Sequence, residues 1–290
     1  MLFLPFHALS ENSDSKLIDR IYTETSSYHF KTVDTLIKAN EYRLKSDPAF
    51  HVAVINYYWW KLISSEQNER YAKKINERIE FVTKSIRFAT EVSDHDLFIL
   101  ISIYAFQARV CLRDHAYFSA ISALSAYYST IKQSFGRENR YSPFLLTSGL
   151  YQFFSGLARD RYPFLSPLLN QYASGNMKLG MYYLRNASLS DDMKIKQEAE
   201  YFLMKIHFDI NHDYREAEKY CLLLTKKYPE NLLFQYYQFK IWLSLGLVEK
   251  ATAQLSNLQR LSGKNSQLTP EEKSYFVNES RKELGRSTKK

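Results

Sequence analysis

Glycine and proline are scarce in this chain of 290 residues, at 8 and 7, well below the roughly 7% and 5% of average usage. Few turns means long helices or few elements. Cysteine is rarer still: Cys111 and Cys221 lie far apart, each inside a helical apolar pattern. That is no disulfide framework, and two buried thiols are the default reading. No run approaches eighteen apolar residues, which excludes a membrane-spanning helix. There is no glycine-rich phosphate loop and no Gly-x-Ser-x-Gly elbow. Metal-ligand spacing is also missing. His207 and His212 project from different sides of a helix, and Cys111 and His115 span an expected turn with no further ligand nearby. Neither a catalytic residue nor a metal or cofactor is therefore expected, and the chain reads as a non-enzyme.

The net charge is +8, yet Lys and Arg alternate with Asp and Glu along most of the chain. Only Arg281, Lys282, Arg286, Lys289 and Lys290 form a basic tail, interrupted by Glu283. A nucleic-acid footprint would show a contiguous stripe, so nucleic acid is not an expected partner.

Hydrophobic residues make up 45% of the chain, enough for a substantial core. Aromatics are abundant, with 23 tyrosines and 19 phenylalanines. They suit helix–helix seams with the ring buried and the hydroxyl wet; an aromatic groove for peptide or sugar is the competing use. Residues 1–10 hold the short apolar run Leu2, Phe3, Leu4, Phe6, with Ala8 and Ser10 spaced as in a cleavage site. They read as a candidate signal-peptide remnant without a basic n-region. The expected location is periplasmic or cell-envelope associated, with the cytoplasm as the alternative.

Residues 11–135 carry apolar positions at three and four apart, the helical period. A polar break near Thr25–Tyr28 separates two helices, and Asp47-Pro48 starts a third, because proline is tolerated in a first turn. The run Tyr57-Tyr58-Trp59-Trp60 covers every direction around that helix, so core packing is the better assignment. Residues 136–190 change character, with five glycines (Gly136, Gly149, Gly156, Gly175, Gly180) and three prolines. Their helices are expected to be short or kinked. Tyr151, Arg159, Arg161 and Tyr162 form an aromatic, basic patch there, either a second functional site or a geometric adaptor between two stacks. Residues 263–290 hold the box Thr269-Pro270-Glu271-Glu272 and a final capping helix.

Residues 191–262 carry two copies of a helix–turn–helix unit about thirty-four residues long. Tyr201, Met204, Phe208, Tyr214, Ala217 and Pro229 mark the first copy; Trp242, Gly246, Ala251 and Leu255 mark the second. This array resembles the tetratricopeptide repeat, and the rest of the chain is similar, more distantly, to bacterial proteins of that class. Lys205 and Phe239 depart from it, standing where the pattern asks for a small residue. The resemblance implies an all-α fold, a right-handed solenoid of antiparallel helix pairs that is irregular in the middle. It further implies a concave face that binds a peptide or protein partner. On that carry-over the inner face is offered by Phe202, Ile206 and Asp209, then Leu233, Tyr236 and Lys240, one stripe by helical geometry. The alternatives are a small-ligand or glycan module using the irregular middle, and a self-associating structural protein.

Overall fold

The computed structural model describes residues 6–66, 68–87, 92–113, 125–161, 163 and 170–287. Every regular element among them is helical. In chain order these are α1 (Phe6–Ser26), α2 (Phe30–Asn40), α3 (Pro48–Ile63), α4 (Asn68–Arg87), α5 (Asp94–Arg113), α6 (Phe144–Arg161), α7 (Met177–Ala187), α8 (Met193–Lys205), α9 (Tyr214–Lys227), α10 (Leu232–Ser244), α11 (Val248–Lys264) and α12 (Pro270–Ser287). A further helical stretch covers 125–131.

Local chemistry sets the starts. Asp47 accepts hydrogen bonds from the Ala49 and Phe50 amides at the head of α3, with Pro48 in the first turn. Asp192 does the same for α8 through Lys194 and Ile195. Before α12 the box is complete: the Glu272 amide donates to Thr269 Oγ1 and the Thr269 amide to Glu272 Oε2.

Consecutive helices pack side by side and antiparallel. Between α3 and α4, Tyr58 lies near Tyr71 while His51, two turns earlier, meets Arg78. Alternate helices touch as well: α1 with α3, α3 with α5, α6 with α8, and α10 with α12; α5 and α6, with the 125–131 stretch between them in sequence, also touch. They form an inner layer, and α2, α4, α7, α9 and α11 back it.

The two ends of this layer meet. One hydrophobic core runs from Ile18, Phe30 and Trp60 through Met204 and Phe234 to Phe276. Trp60 sits edge-on to Phe234 at 5.5 Å and 6.3 Å from Tyr201. Polar contacts follow the same seam: Asn231 Nδ2 donates to the Ser26 carbonyl at 2.7 Å, Gln197 Nε2 to Ser26 Oγ, and the Thr32 amide to Gln267. Tyr28, between α1 and α2, takes φ +62° and is fully buried, its hydroxyl 2.7 Å from Ser64 Oγ. A tyrosine in left-handed backbone costs about 1–2 kcal/mol, which burial of the ring and this hydrogen bond offset.

Gly149, Gly156 and Gly180 do not break helices, contrary to the expectation from composition, whereas Gly136, at φ +80°, and Gly175 lie outside helices. Helix α6 runs 18 residues through Gly149 and Gly156. These two face α7, where Gly180 presents its backbone, so the chains approach without intervening side chains. A Cβ on Gly180 would stand 2.5 Å from the Phe153 amide nitrogen and 2.8 Å from the Gly149 carbonyl oxygen. Gly180→Ala is therefore expected to cost about 1–3 kcal/mol through forced separation of α6 and α7. Gly263→Ala on α11, where the new methyl meets nothing within 4 Å, should gain about 0.4–1 kcal/mol. Urea titration of both variants checks the contrast; equal effects would mean that the seam is looser than drawn.

One further difference concerns the helix expected from Met193 to Asp209. It ends at Lys205 and continues as a single π turn, Ile206–Ile210. The turn buries His207 against Tyr220.

Candidate functional site

The inner layer does not close completely. A cavity of about 440 Å³ remains between α1, α3, α5, α6 and α8, within the range of roughly 300–1,000 Å³ typical of small-molecule sites. Its walls are apolar, from Ile18, Val52, Phe98, Ile99, Phe106 and Leu150. On α5 the lining runs from His95 to Arg109, about 20 Å of helix, so the space is elongated. The starts of α3, α5, α6 and α8 gather at one end, where Asp47, His95, Pro143 and Asp192 line it.

Arg109, Glu198, Tyr22 and Tyr127 also line the cavity, Tyr127 within reach of the Arg109 charge and Tyr22 with its ring 5.9 Å from the Lys194 ammonium. The Arg109 guanidinium is held by aromatic faces, 4.7 Å from the centre of Phe202, 5.0 Å from Phe106 and 5.8 Å from Trp59. Among the described residues it meets no hydrogen-bond acceptor and no carboxylate within ion-pairing distance. Glu198 faces the same space, equally without a hydrogen bond. Burial raises its carboxyl above the ordinary range, and Arg109 pulls it back only in part. Burial likewise pushes the Tyr22 hydroxyl upward, reinforced by Glu198, Asp192 and Asp19. Tyr127 is raised by burial against the pull of Arg109. Both phenols are neutral donors at ordinary pH.

The other charges that line the cavity are engaged. Lys194 pairs with Asp19 at 2.5 Å, Asp14 with Arg43, and Asp47 and Asp192 cap helices. His95 Nδ1 lies 3.2 Å from the Tyr141 hydroxyl. Arg109 and Glu198 are the charged side chains left facing the cavity alone.

Glu198 gives a prediction. The folded chain holds this proton to higher pH than the unfolded chain. Its contribution to stability is therefore greatest below the ordinary glutamate range and is lost as pH rises through the folded value. Glu198→Gln should raise the thermal midpoint at neutral pH by about 2–4 °C, for on the order of 1 kcal/mol of relieved desolvation. Near pH 4 the gain should vanish. Melting curves at the two pH values read this directly, and a variant destabilised at both would show that the carboxylate serves a structural partner.

The stripe expected on the concave face sits elsewhere. Ile206 and Leu233 are closed off from solvent, Ile206 in the core shared by α6, α7 and α8 and Leu233 in the one that includes α1–α3. Tyr236 donates to Glu283 on α12 at 2.7 Å, and Lys240 stacks over Phe208 with Glu283 3.7 Å away. Asp209 pairs with Lys205 at 2.8 Å. Phe202 lies behind the cavity-lining Arg109, its ring centre 4.7 Å from the guanidinium.

The second patch is likewise taken up by the chain itself. Tyr151 is buried and donates to the Ala173 carbonyl at 2.7 Å; Arg159 donates to the Tyr172 carbonyl at 2.7 Å; Arg161 donates to the Ile210 carbonyl. Tyr151 and Arg159 pin the segment leading into α7, and Arg161 the turn after α8. Tyr162 lies outside the described residues.

Arg109 and Glu198 were missed because each looks ordinary on its own helix. The available signal was a charge on an apolar stripe: Arg109 continues Phe98, Ser102, Ala105 and Phe106 at helical spacing, and Glu198 stands between Ile195 and Phe202.

Among the described residues no helix is long and apolar enough to cross a membrane, and no group of three or more His, Cys, Asp or Glu is placed to hold a metal ion. Comparison with known proteins returns no match: no protein-family model, curated protein or solved structure aligns with this chain.

Proposed function

We propose that this chain is a non-enzymatic binding protein of the helical-repeat type, whose ligand enters the central cavity instead of lying across the repeats at residues 191–262. The observation that carries this is a pair of opposite charges, Arg109 and Glu198, lining one largely apolar space with no hydrogen bond or ion pair among the described residues. Both side chains are half-buried, and a ligand of complementary charge would complete their contacts. Alternation of inner and outer helices and the thirty-four-residue shift support a tetratricopeptide-like, right-handed solenoid. The apolar run at residues 1–10 supports export to the periplasm or envelope, which the mass of the mature N-terminus tests.

The experiment is native mass spectrometry of the full chain purified without denaturant, beside Ala105→Phe, which places a ring in the cavity. A small molecule retained by the parent and lost in the variant is expected. A parent that carries none, and that no compound in a thermal-shift library stabilises, overturns the reading.

A protein-binding scaffold is the second reading. Leu189, Met193, Leu222 and Leu223 are exposed, and Met193 Sδ lies 3.8 Å from Lys227, one turn beyond Leu223. Together they suit a partner protein or a second copy of the chain. A monomer by light scattering at high concentration, with no protein recovered by affinity purification, would remove it.

A further inference from the structure

We propose that the cavity takes a small molecule built from one carboxylate on an apolar body, with the carboxylate seated on the Arg109 guanidinium. This rests on the reading of the cavity as the binding site and adds the chemistry of its occupant.

Three features lead there. First, the guanidinium carries five N–H donors in a planar fork that matches a carboxylate bidentately, and Phe202, Phe106 and Trp59 fix its plane while supplying no acceptor. A half-buried fork held by aromatic rings loses little side-chain entropy on binding, which favours an anion contact.

Second, the charge of the ligand is bounded. Arg109 is a single unpaired cation, because the other cation of the lining, Lys194, is committed to Asp19 and Asp192. At the far end Asp14, Asp47 and Asp192 face the same space. A phosphate dianion or a dicarboxylate would meet those acids with one positive charge to offset two negative ones, whereas a monocarboxylate is neutralised by Arg109 alone. Tyr127, a neutral hydroxyl donor within reach of the Arg109 charge, adds to the surroundings of a carboxylate. Glu198 also lines this space and opposes a carboxylate when ionised.

Third, the remaining length is apolar. From Phe106 toward the opposite end the walls are Val52, Phe98, Ile99, Leu146 and Leu150. They offer contact to methylene or ring carbons, at about 25 cal/mol per Å² of apolar surface removed from water, with Asn56, Ser102 and Thr147 as polar side chains among them.

Isothermal titration of the full-length protein with octanoate and 3-phenylpropionate tests this, each beside its alcohol and its amine. The carboxylates should bind at least about ten-fold more tightly than either relative. Arg109→Gln should remove that preference and leave alcohol binding unchanged, while Glu198→Gln should strengthen carboxylate binding at neutral pH, where it removes a like charge. The comparison of head groups on the parent protein stands even if Arg109→Gln does not fold. Equal affinity for the three head groups, lost together in Ala105→Phe, overturns the carboxylate assignment and leaves the cavity as a binding site. Carboxylate binding that survives both Arg109→Gln and Ala105→Phe lies outside the cavity and overturns it too. Failure of the parent reading looks different: no probe binds and no small molecule co-purifies.

Discussion

Replacing Trp60 with alanine lowers the unfolding free energy by about 3–5 kcal/mol, enough to shift the thermal midpoint by roughly 6–20 °C in a chain of this size. The ring is almost wholly buried, and what it touches explains the size of the effect. It packs edge-on to Tyr28 and to Phe234 and lies beside Tyr201, so one side chain of α3 ties the turn after α1 to α8 and α10. Its removal empties the joint between the two ends of the inner layer, where no neighbour can relax inward without moving a helix. Limited proteolysis should then cut first near residues 27–29 and 265–268, the turns on either side of the joint. A loss below about 1 kcal/mol would mean that the ends are held by other contacts.

Lys61→Met is the companion case. The Lys61 ammonium is surrounded by Phe30, Tyr57 and Tyr71 and lies 3.1 Å from Glu272 Oε1, on a residue that is itself buried. Burial pulls the lysine pKa down, and Glu272, Tyr71 and Asp34 together outweigh it, for a net rise. The stabilisation is therefore complete below the ordinary lysine range and lost only as pH climbs through the folded value. At neutral pH the single variant leaves a buried carboxylate without its cation and should cost about 3–5 kcal/mol. Lys61→Met with Glu272→Gln removes the stranded charge and should cost less than the single change, a non-additivity that a double-mutant cycle measures. A double variant as unstable as the sum of its parts would show that the two groups act separately.

The helices themselves were legible. The spacing of apolar residues and the signals at Asp47-Pro48, Asp192 and Thr269–Glu272 are local, and they place the helix starts close to where they occur. Core positions such as Tyr57 and Trp60 followed from a helix with no polar face. Two kinds of feature were not legible. Glycine has two uses, to turn the chain and to let backbones touch, and composition does not tell them apart. Gly149 and Gly156, seven residues apart, share one face of a helix, and that spacing was the sign of the second use. Long-range pairing leaves no period at all. Nothing around Ser26 announces Asn231, so the repeats at residues 191–262 looked open on the side that α1–α3 cover. For the same reason Tyr236→Ala with Lys240→Ala, the natural test of an open concave face, would instead loosen α12 by freeing Glu283. The cavity needs one residue from each of several helices, so it becomes visible only when those helices stand side by side.

The meeting of the two ends bears on how the chain reaches its fold. In an open array of repeats each unit contacts only its neighbours, so structure nucleates anywhere and spreads. Here the hydrogen bond from Asn231 to Ser26 spans 205 residues and that from Thr32 to Gln267 spans 235. Contacts of such sequence separation slow folding, because the loop must close before they stabilise anything. During synthesis α1–α3 emerge with Phe30, Tyr57 and Trp60 still lacking the residues that cover them, and they wait for α10 and α12 to follow. The order of events is thus set by the last helices made, and a ribosome-bound chain stopped before residue 232 should remain sensitive to protease in its first sixty residues.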